Sequence, residues 1–298
     1  MTDPLRDPPG ERAVEELLSF GVVNLDKPAG PSAHQVAAWV RDLAGVDRAA
    51  HAGTLDPKVT GCLPTMLGDA TRLAPVVLEG GKEYIAVLEL HGLPPTDIES
   101  TLAAFETEIY QKPPRKSAVA RRLRSREIYA LDLLELDDRQ ALLRVRCESG
   151  TYIRKLCHDL GLALGTGGHM GDLRRTATEP FDDTDLRTLH DLADGLAWAR
   201  EDDSEAFLRE VVSPAERAME HLPAITIARS AATSVADGAP VYAPGVVDID
   251  DAAAALDPGA DDLLACYTPD GSAVCLGKLV GDPDRESGEV VSLERVLV

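Results

Sequence analysis

His51-Ala52-Gly53-Thr54-Leu55-Asp56-Pro57-Lys58-Val59-Thr60-Gly61 is the stretch around which the chain is organised. It holds one carboxylate, Asp56, in a loop with little conformational freedom. Pro57 pushes Asp56 out of the helical region toward an extended or turn conformation. Gly53 and Gly61 permit tight backbone geometry on either side. Such a loop can present a carboxylate to a ligand at a fixed angle. Asp-Pro also simply opens turns, so the loop alone leaves a structural and a chemical reading open.

Upstream, residues 1–19 are Pro-rich and charged up to Pro9-Gly10 and then briefly helical through Glu11–Leu18. They read as an arm rather than a domain. Phe20–Leu25 reads as a short strand running into the rigid turn Asp26-Lys27-Pro28-Ala29-Gly30-Pro31. Ser32 is an N-cap, and Ala33, Val36, Ala37, Val40 and Leu43 then follow helical spacing until Gly45.

Downstream, a helix is expected through Met66–Leu73. Lys82–His91 alternates, with Tyr84, Ala86, Leu88 and Leu90 on one face of a strand. Thr96 and Glu99 form the pattern of a capping box for a helix reaching Ile109. After it, Tyr110–Val119 leads into Arg121, Arg122, Arg124 and Arg126, a dense basic run that also holds Lys112, Arg115 and Lys116. Two strands follow, about Glu127–Leu136 and Ala141–Cys147. The motif Gly150-Thr151-Tyr152-Ile153-Arg154 then opens a helix running toward Gly161. Arg154 falls in its first turn, where a cation opposes the helix dipole and a partner carboxylate would remove the conflict.

Residues 186–220 read as helices. Beyond His221 the rhythm changes to short apolar runs separated by turns: Ala224–Ala228, Val241–Val246, Leu263–Tyr267, Ala273–Val280 and Val290–Leu297. This is the pattern of a small β-barrel. Cys266 and Cys275 flank the Pro269-Asp270-Gly271 turn and are placed to face each other across a hairpin.

The 298 residues are 44% hydrophobic, enough for one large or two unequal domains. Asp and Glu number 51 against 30 Lys and Arg, a net charge of −21. At face value such charge repels nucleic acid. At about 1 M salt the Debye length shrinks to about 3 Å, and the acidity reads as a halophile's surface adaptation. Against that background the basic run reads as a phosphate-contacting loop. The five cysteines show no Cys-x-x-Cys pair and no zinc spacing. No metal or cofactor is expected. No apolar run is long enough for a signal core or a membrane span, which points to the cytoplasm.

Gly53-Thr54-Leu55-Asp56-Pro57 with Gly61, the Lys27-Pro28 turn, Lys82-Glu83-Tyr84, Thr151-Tyr152-Ile153-Arg154 and His169-Met170-Gly171-Asp172-Leu173-Arg174-Arg175 stand in order along the chain. Together they resemble the TruB/dyskerin family of pseudouridine synthases. The chain departs from that pattern before Phe181, where the family would have a Ser-Gly element and this chain has Ala177-Thr178-Glu179-Pro180. The resemblance implies an α+β catalytic domain over 20–220, with a bent, mainly antiparallel sheet and flanking helices. It implies a PUA RNA-binding barrel over 221–298, on Gly238-Ala239-Pro240-Val241, Ala243-Pro244-Gly245 and Leu276-Gly277-Lys278.

The resemblance also assigns roles. Asp56 becomes the catalytic carboxylate, paired with and aimed by Arg154. Tyr84 stacks on an extruded uracil, and Tyr152 lines the pocket. Lys27, His51 and Leu173 support the site. Lys112, Arg115, Lys116, Arg121, Arg122 and Arg124 contact RNA. The form of the Asp56 loop, the Pro113-Pro114-x-x-Ser117-Ala118-Val119 segment and the PUA-like tail look more like the guide-dependent branch. That implies a box H/ACA guide RNA and small ribonucleoprotein subunits as partners. A stand-alone synthase acting on the T-loop of tRNA is the alternative enzyme. A non-catalytic RNA-binding scaffold is the alternative from another class.

Overall fold

The computed structural model describes residues 4–113, 120–201 and 204–298. The Pro114–Val119 part of the basic run, with Arg115 and Lys116, lies outside the described residues.

The first half builds one large sheet. Its strands are β1 (Gly21–Lys27), β2 (Ala49–His51), β3 (Thr60–Leu67), β4 (Lys82–Leu90), β5 (Glu108–Gln111), β6 (Arg124–Asp137), β7 (Gln140–Cys147), β8 (Gly168–Thr178) and β9 (Ser213–Pro214). They lie in the order β5-β6-β7-β4-β8-β3-β1-β9, with β2 beside β3. Every pairing is antiparallel except β3 with β8, which runs parallel over Thr60↔Arg174 and Gly61↔Arg175. At Gly61 φ is +99°, and a Cβ would stand 2.1 Å from the Arg175 carbonyl oxygen. Only glycine lets these two strands meet there.

The helices of this half are α1 (Val14–Ser19), α2 (Ala33–Ala44), α3 (Ala74–Glu79), α4 (Ile98–Ala103), α5 (Ile153–Ala163), α6 (Leu189–Glu201) and α7 (Ala206–Val211). Ser32 caps α2 through a full capping box with Gln35. The alternation of β4 buries Lys82, Tyr84, Ala86, Leu88 and Leu90. On that inner face Leu143, Val145, Ile153, Leu156 and Leu160 complete a continuous core with α5. Each such aliphatic side chain contributes roughly 1.5–3 kcal/mol when fully buried.

Two sequence expectations need correction. Met66 and Leu67 end the buried strand β3, and a 3-10 turn at Gly68–Leu73 replaces the expected helix. Near residue 100 the capping residue is Asp97, which accepts from the Ser100 amide. The helix stops at Ala103, because Thr107 to Gln111 turn back to pair with β6.

A second sheet contains β10 (Ala224–Ile227), β11 (Val241–Tyr242), β12 (Val246–Ile249), β13 (Leu263–Tyr267), β14 (Ala273–Leu279) and β15 (Glu289–Val296), in the order β11-β15-β14-β13-β10-β12. Helix α8 (Arg229–Ala236) and the short α9 (Asp251–Ala254) accompany it. Cys266 and Cys275 sit opposite each other on β13 and β14, both buried and both free thiols.

The sheets share apolar contacts. Phe20, Val22, Met66 and Met219 from the first half pack with Ala265, Leu276 and Leu297 from the second. Residues 5–12 lie across this junction. Leu5 is buried in the second core. Arg6 Nη2 donates to the Leu297 carbonyl at 3.2 Å. The buried Arg12 donates to both Glu216 oxygens at 2.8 and 2.6 Å. Glu216 in turn accepts from the Ala273 amide.

Candidate active site

The Asp56 loop is stapled at two apolar points. Leu55 and Val59 are buried in the main core, while Asp56, Pro57 and Lys58 face solvent. Lys27, fully buried at the end of β1, donates its three ammonium hydrogens to the carbonyls of Pro28 (2.9 Å), Pro57 (3.1 Å) and Val59 (2.8 Å). The Gly30 amide adds a bond to the Pro57 carbonyl. Burial pulls the Lys27 pKa below its ordinary value, and the nearby Asp56 carboxylate opposes that shift.

The first turn of α5 brings Arg154 to this loop. Its Nη2 stands 2.9 Å from Asp56 Oδ2. Tyr152 is the N-cap of α5, and its side chain makes no capping bond. Its backbone is held from elsewhere. Gln111, buried at the end of β5, accepts from the Tyr152 amide at 2.9 Å and donates Nε2 to the Tyr152 carbonyl at 3.3 Å. Tyr84 and Leu173 are buried side by side on the inner face, since β4 and β8 pair Tyr84↔Arg175 and Ala86↔Leu173.

His51 ends β2, its ring edge-on to His34 with centroids 4.7 Å apart. Burial, then His34 and Arg175, lower its pKa to about 4. At neutral pH the ring is uncharged. Its buried Nδ1 has no hydrogen-bond partner among the described residues.

The inner face holds another cation. Arg175 is 1% exposed and donates Nε to the Cys62 carbonyl at 2.7 Å and Nη2 to the Gly53 carbonyl at 3.3 Å. Arg174, one residue earlier, points to the opposite face and grips both oxygens of Asp26 at 3.0 Å.

The structure thus brings Arg154 and Lys27 to the Asp56 loop and sets Tyr84 and Leu173 on the buried face of β4 and β8, while Tyr152 precedes α5 and His51 lies at the end of β2 beside His34. Lys112, Arg121, Arg122 and Arg124 border the segment between β5 and β6. The first three are exposed and Arg124 is partly buried. Arg121 Nε donates to the Pro113 carbonyl. Sequence reasoning gave no role to Gln111 or Arg175. Nothing local marks Gln111. Arg175 had a signal: it lies two residues from Leu173 and so shares the inward phase of its strand.

Among the described residues no group of three or more His, Cys, Asp or Glu side chains is placed to hold a metal ion. No helix among them is long and apolar enough to cross a membrane.

Residues 41–97 and 91–153 match the TruB family pseudouridylate synthase N-terminal domain, and 154–220 match the tRNA pseudouridylate synthase B C-terminal domain. Residues 6–37 match the DKCLD (NUC011) domain. The probable tRNA pseudouridine synthase B of Halobacterium salinarum is 67% identical, covering 99% of both chains. That of Pyrococcus abyssi is 46% identical over 98% of this chain and 87% of its own. Among solved structures, the fold resembles a Cbf5–Nop10–Gar1 complex, with a TM-score of 0.91 and 43% identity over 99% of this chain and 90% of that one. It also resembles an H/ACA RNP bound to a substrate RNA containing 2′-deoxyuridine, with a TM-score of 0.90 and 41% identity over 100% of this chain and 91% of that one. The carboxylate loop and the arginine that meets it both fall within the matched regions. With near-complete coverage at such identities, the chain belongs to the TruB family of pseudouridylate synthases.

Proposed function

We propose that this chain isomerises uridine to pseudouridine in RNA, guided by a box H/ACA RNA and assembled with small protein subunits. The Asp56–Arg154 pair at 2.9 Å carries the reading. It aims a carboxylate on a loop that Arg175, on the buried face shared by Tyr84 and Leu173, holds at Gly53 and Cys62. The reaction balances within the substrate. The N1–C1′ bond breaks, a C5–C1′ bond forms, C5 loses a proton and N1 gains one.

Each residue takes one task. Asp56 acts at C1′, as nucleophile or as stabiliser of the sugar cation. Arg154 keeps it oriented. Tyr84 stacks on the flipped base, Leu173 walls the pocket, and Tyr152 lines it and assists proton removal from C5. Lys27 and His51 support the loop. Lys112, Arg115, Lys116, Arg121, Arg122 and Arg124 contact RNA phosphates. The catalytic domain spans 20–220, and the second sheet, within 221–298, serves as a PUA RNA-binding domain. The protein works in the cytoplasm.

Guide dependence rests on the likeness to the Cbf5–Nop10–Gar1 and substrate-bound H/ACA assemblies over nearly the whole chain. A stand-alone activity on tRNA is the second reading, favoured by the tRNA synthase names of the relatives. Tritium release from uridine-labelled RNA at high salt separates them, run with and without guide RNA and partner subunits, beside Asp56→Ala. Activity only with the guide, lost in the variant, supports the proposal. Guide-free activity on tRNA favours the second reading. An active Asp56→Ala chain rejects both.

A further inference from the structure

We propose that Arg175 is a positioning residue that fixes the Asp56 loop relative to Tyr84. This rests on the reading of Asp56 as the reacting carboxylate.

A buried arginine normally meets a carboxylate, because an unpaired charge in the interior is costly. Arg175 meets none among the described residues. Its donors go to backbone carbonyls, and their places are informative. Gly53 stands at the entrance of the Asp56 loop and Cys62 just past its exit. One planar guanidinium therefore spans the base of the loop. Directly across the β4–β8 register lies Tyr84, buried on the same face of the sheet as Arg175. The two ends of the loop and the ring that faces the base are all referred to one side chain.

The surroundings fit this use. Gly53 has φ +110°, and a Cβ there would stand 3.0 Å from Arg175 Nη1. The loop entrance is shaped to let the guanidinium reach the carbonyl. Lys27 holds the loop from its other side, through Pro57 and Val59. Arg175 is the clamp that also reaches the base-facing wall. A neutral amide could donate to one carbonyl without burying a charge. The planar fork with five N–H donors can serve several acceptors at once. A lysine keeps the charge but not the fork.

The prediction follows from geometry. Displacing a reacting group by about 1 Å costs on the order of 10²-fold in rate. Arg175→Lys should lower the single-turnover rate about 100-fold at saturating RNA, in the assembly that supports activity of the unaltered chain. RNA affinity should stay within about twofold, and the melting temperature should be largely kept. A near-normal rate for Arg175→Lys would overturn the proposal. So would an affinity falling as far as the rate in a variant that stays folded.

If Arg175→Lys does not fold, Arg175→Gln gives the second test, since a neutral amide can serve one of the two carbonyls but not both. A slowed rate at unchanged affinity supports the clamp, and an unchanged rate rejects it. Asp56→Ala runs in parallel. Its continued activity would reject the reading of Asp56. An inactive Asp56→Ala beside a fully active Arg175→Lys would reject the clamp alone.

Discussion

Arg154 Nη2 approaches Asp56 Oδ2 to 2.9 Å, although both side chains keep more than a third of their surface, 38% and 46%, in solvent. Exposed ion pairs contribute roughly 0–1 kcal/mol to stability, so this pair does little to hold the fold. Its value is orientation. Arg154→Ala should therefore leave the melting curve nearly unchanged while lowering the single-turnover rate about 100-fold. Differential scanning fluorimetry beside the tritium assay checks both halves. A large loss of stability would mean that the pair is structural after all.

Lys27 behaves in the opposite way. It is buried, and three carbonyls depend on it. Lys27→Met would leave those oxygens unsatisfied at about 1–3 kcal/mol each before relaxation. Chemical denaturation should show a loss of about 3 kcal/mol or more, with activity falling even where the variant remains folded.

His51 gives a pH signature. Its pKa is lowered to about 4 in the folded chain from an ordinary value of 6.5. Between those values the unfolded chain binds more protons than the folded one, so this group's contribution to stability rises with pH from about 4 to 6.5 and falls on acidification. The effect has a ceiling of about 3 kcal/mol. His51→Gln should flatten the stability profile in that window relative to the unaltered chain. Parallel profiles for the two proteins would refute the assignment.

Gln111 ties β5, and so the entrance to the basic segment, to the backbone of Tyr152. Gln111→Leu keeps the bulk and removes both bonds. Amide exchange over residues 152–156 should quicken. The catalytic rate should drop about tenfold while the variant still binds RNA. Unchanged exchange at Tyr152 would show that the amide clamp is not what orders the start of α5.

Much of this was legible in the sequence because it was local. The alternation of Lys82–Leu90 gave the inner face, Ser32 gave the start of α2, and the loop around Asp56 had a motif-level signature. The pairing of Asp56 with Arg154 came from the family pattern, since residues so far apart in sequence carry no local sign of contact. Strand β3 escaped because nearly every residue from Gly61 to Leu67 is buried. A strand covered on both faces shows no period of two. Strand β5 escaped because four residues are too few to show a period. Gln111 and Arg175 act on carbonyls 41 or more residues away, a relation no spacing rule encodes.

The strap over residues 5–12 has a consequence for how the molecule is made. Leu5 needs the core of the second sheet, Arg6 needs the carbonyl of Leu297, and the carbonyl of Asp7 accepts from Ser272 Oγ at 3.1 Å. On a ribosome residues 5–12 are made well before the groups that receive them. They must wait, unsatisfied, until residues 272–297 have followed. Until then the nascent chain carries an exposed Leu5 and an Arg12 without Glu216. A chain stopped before β15 would leave Leu5 with part of its core missing and Arg6 without the Leu297 carbonyl.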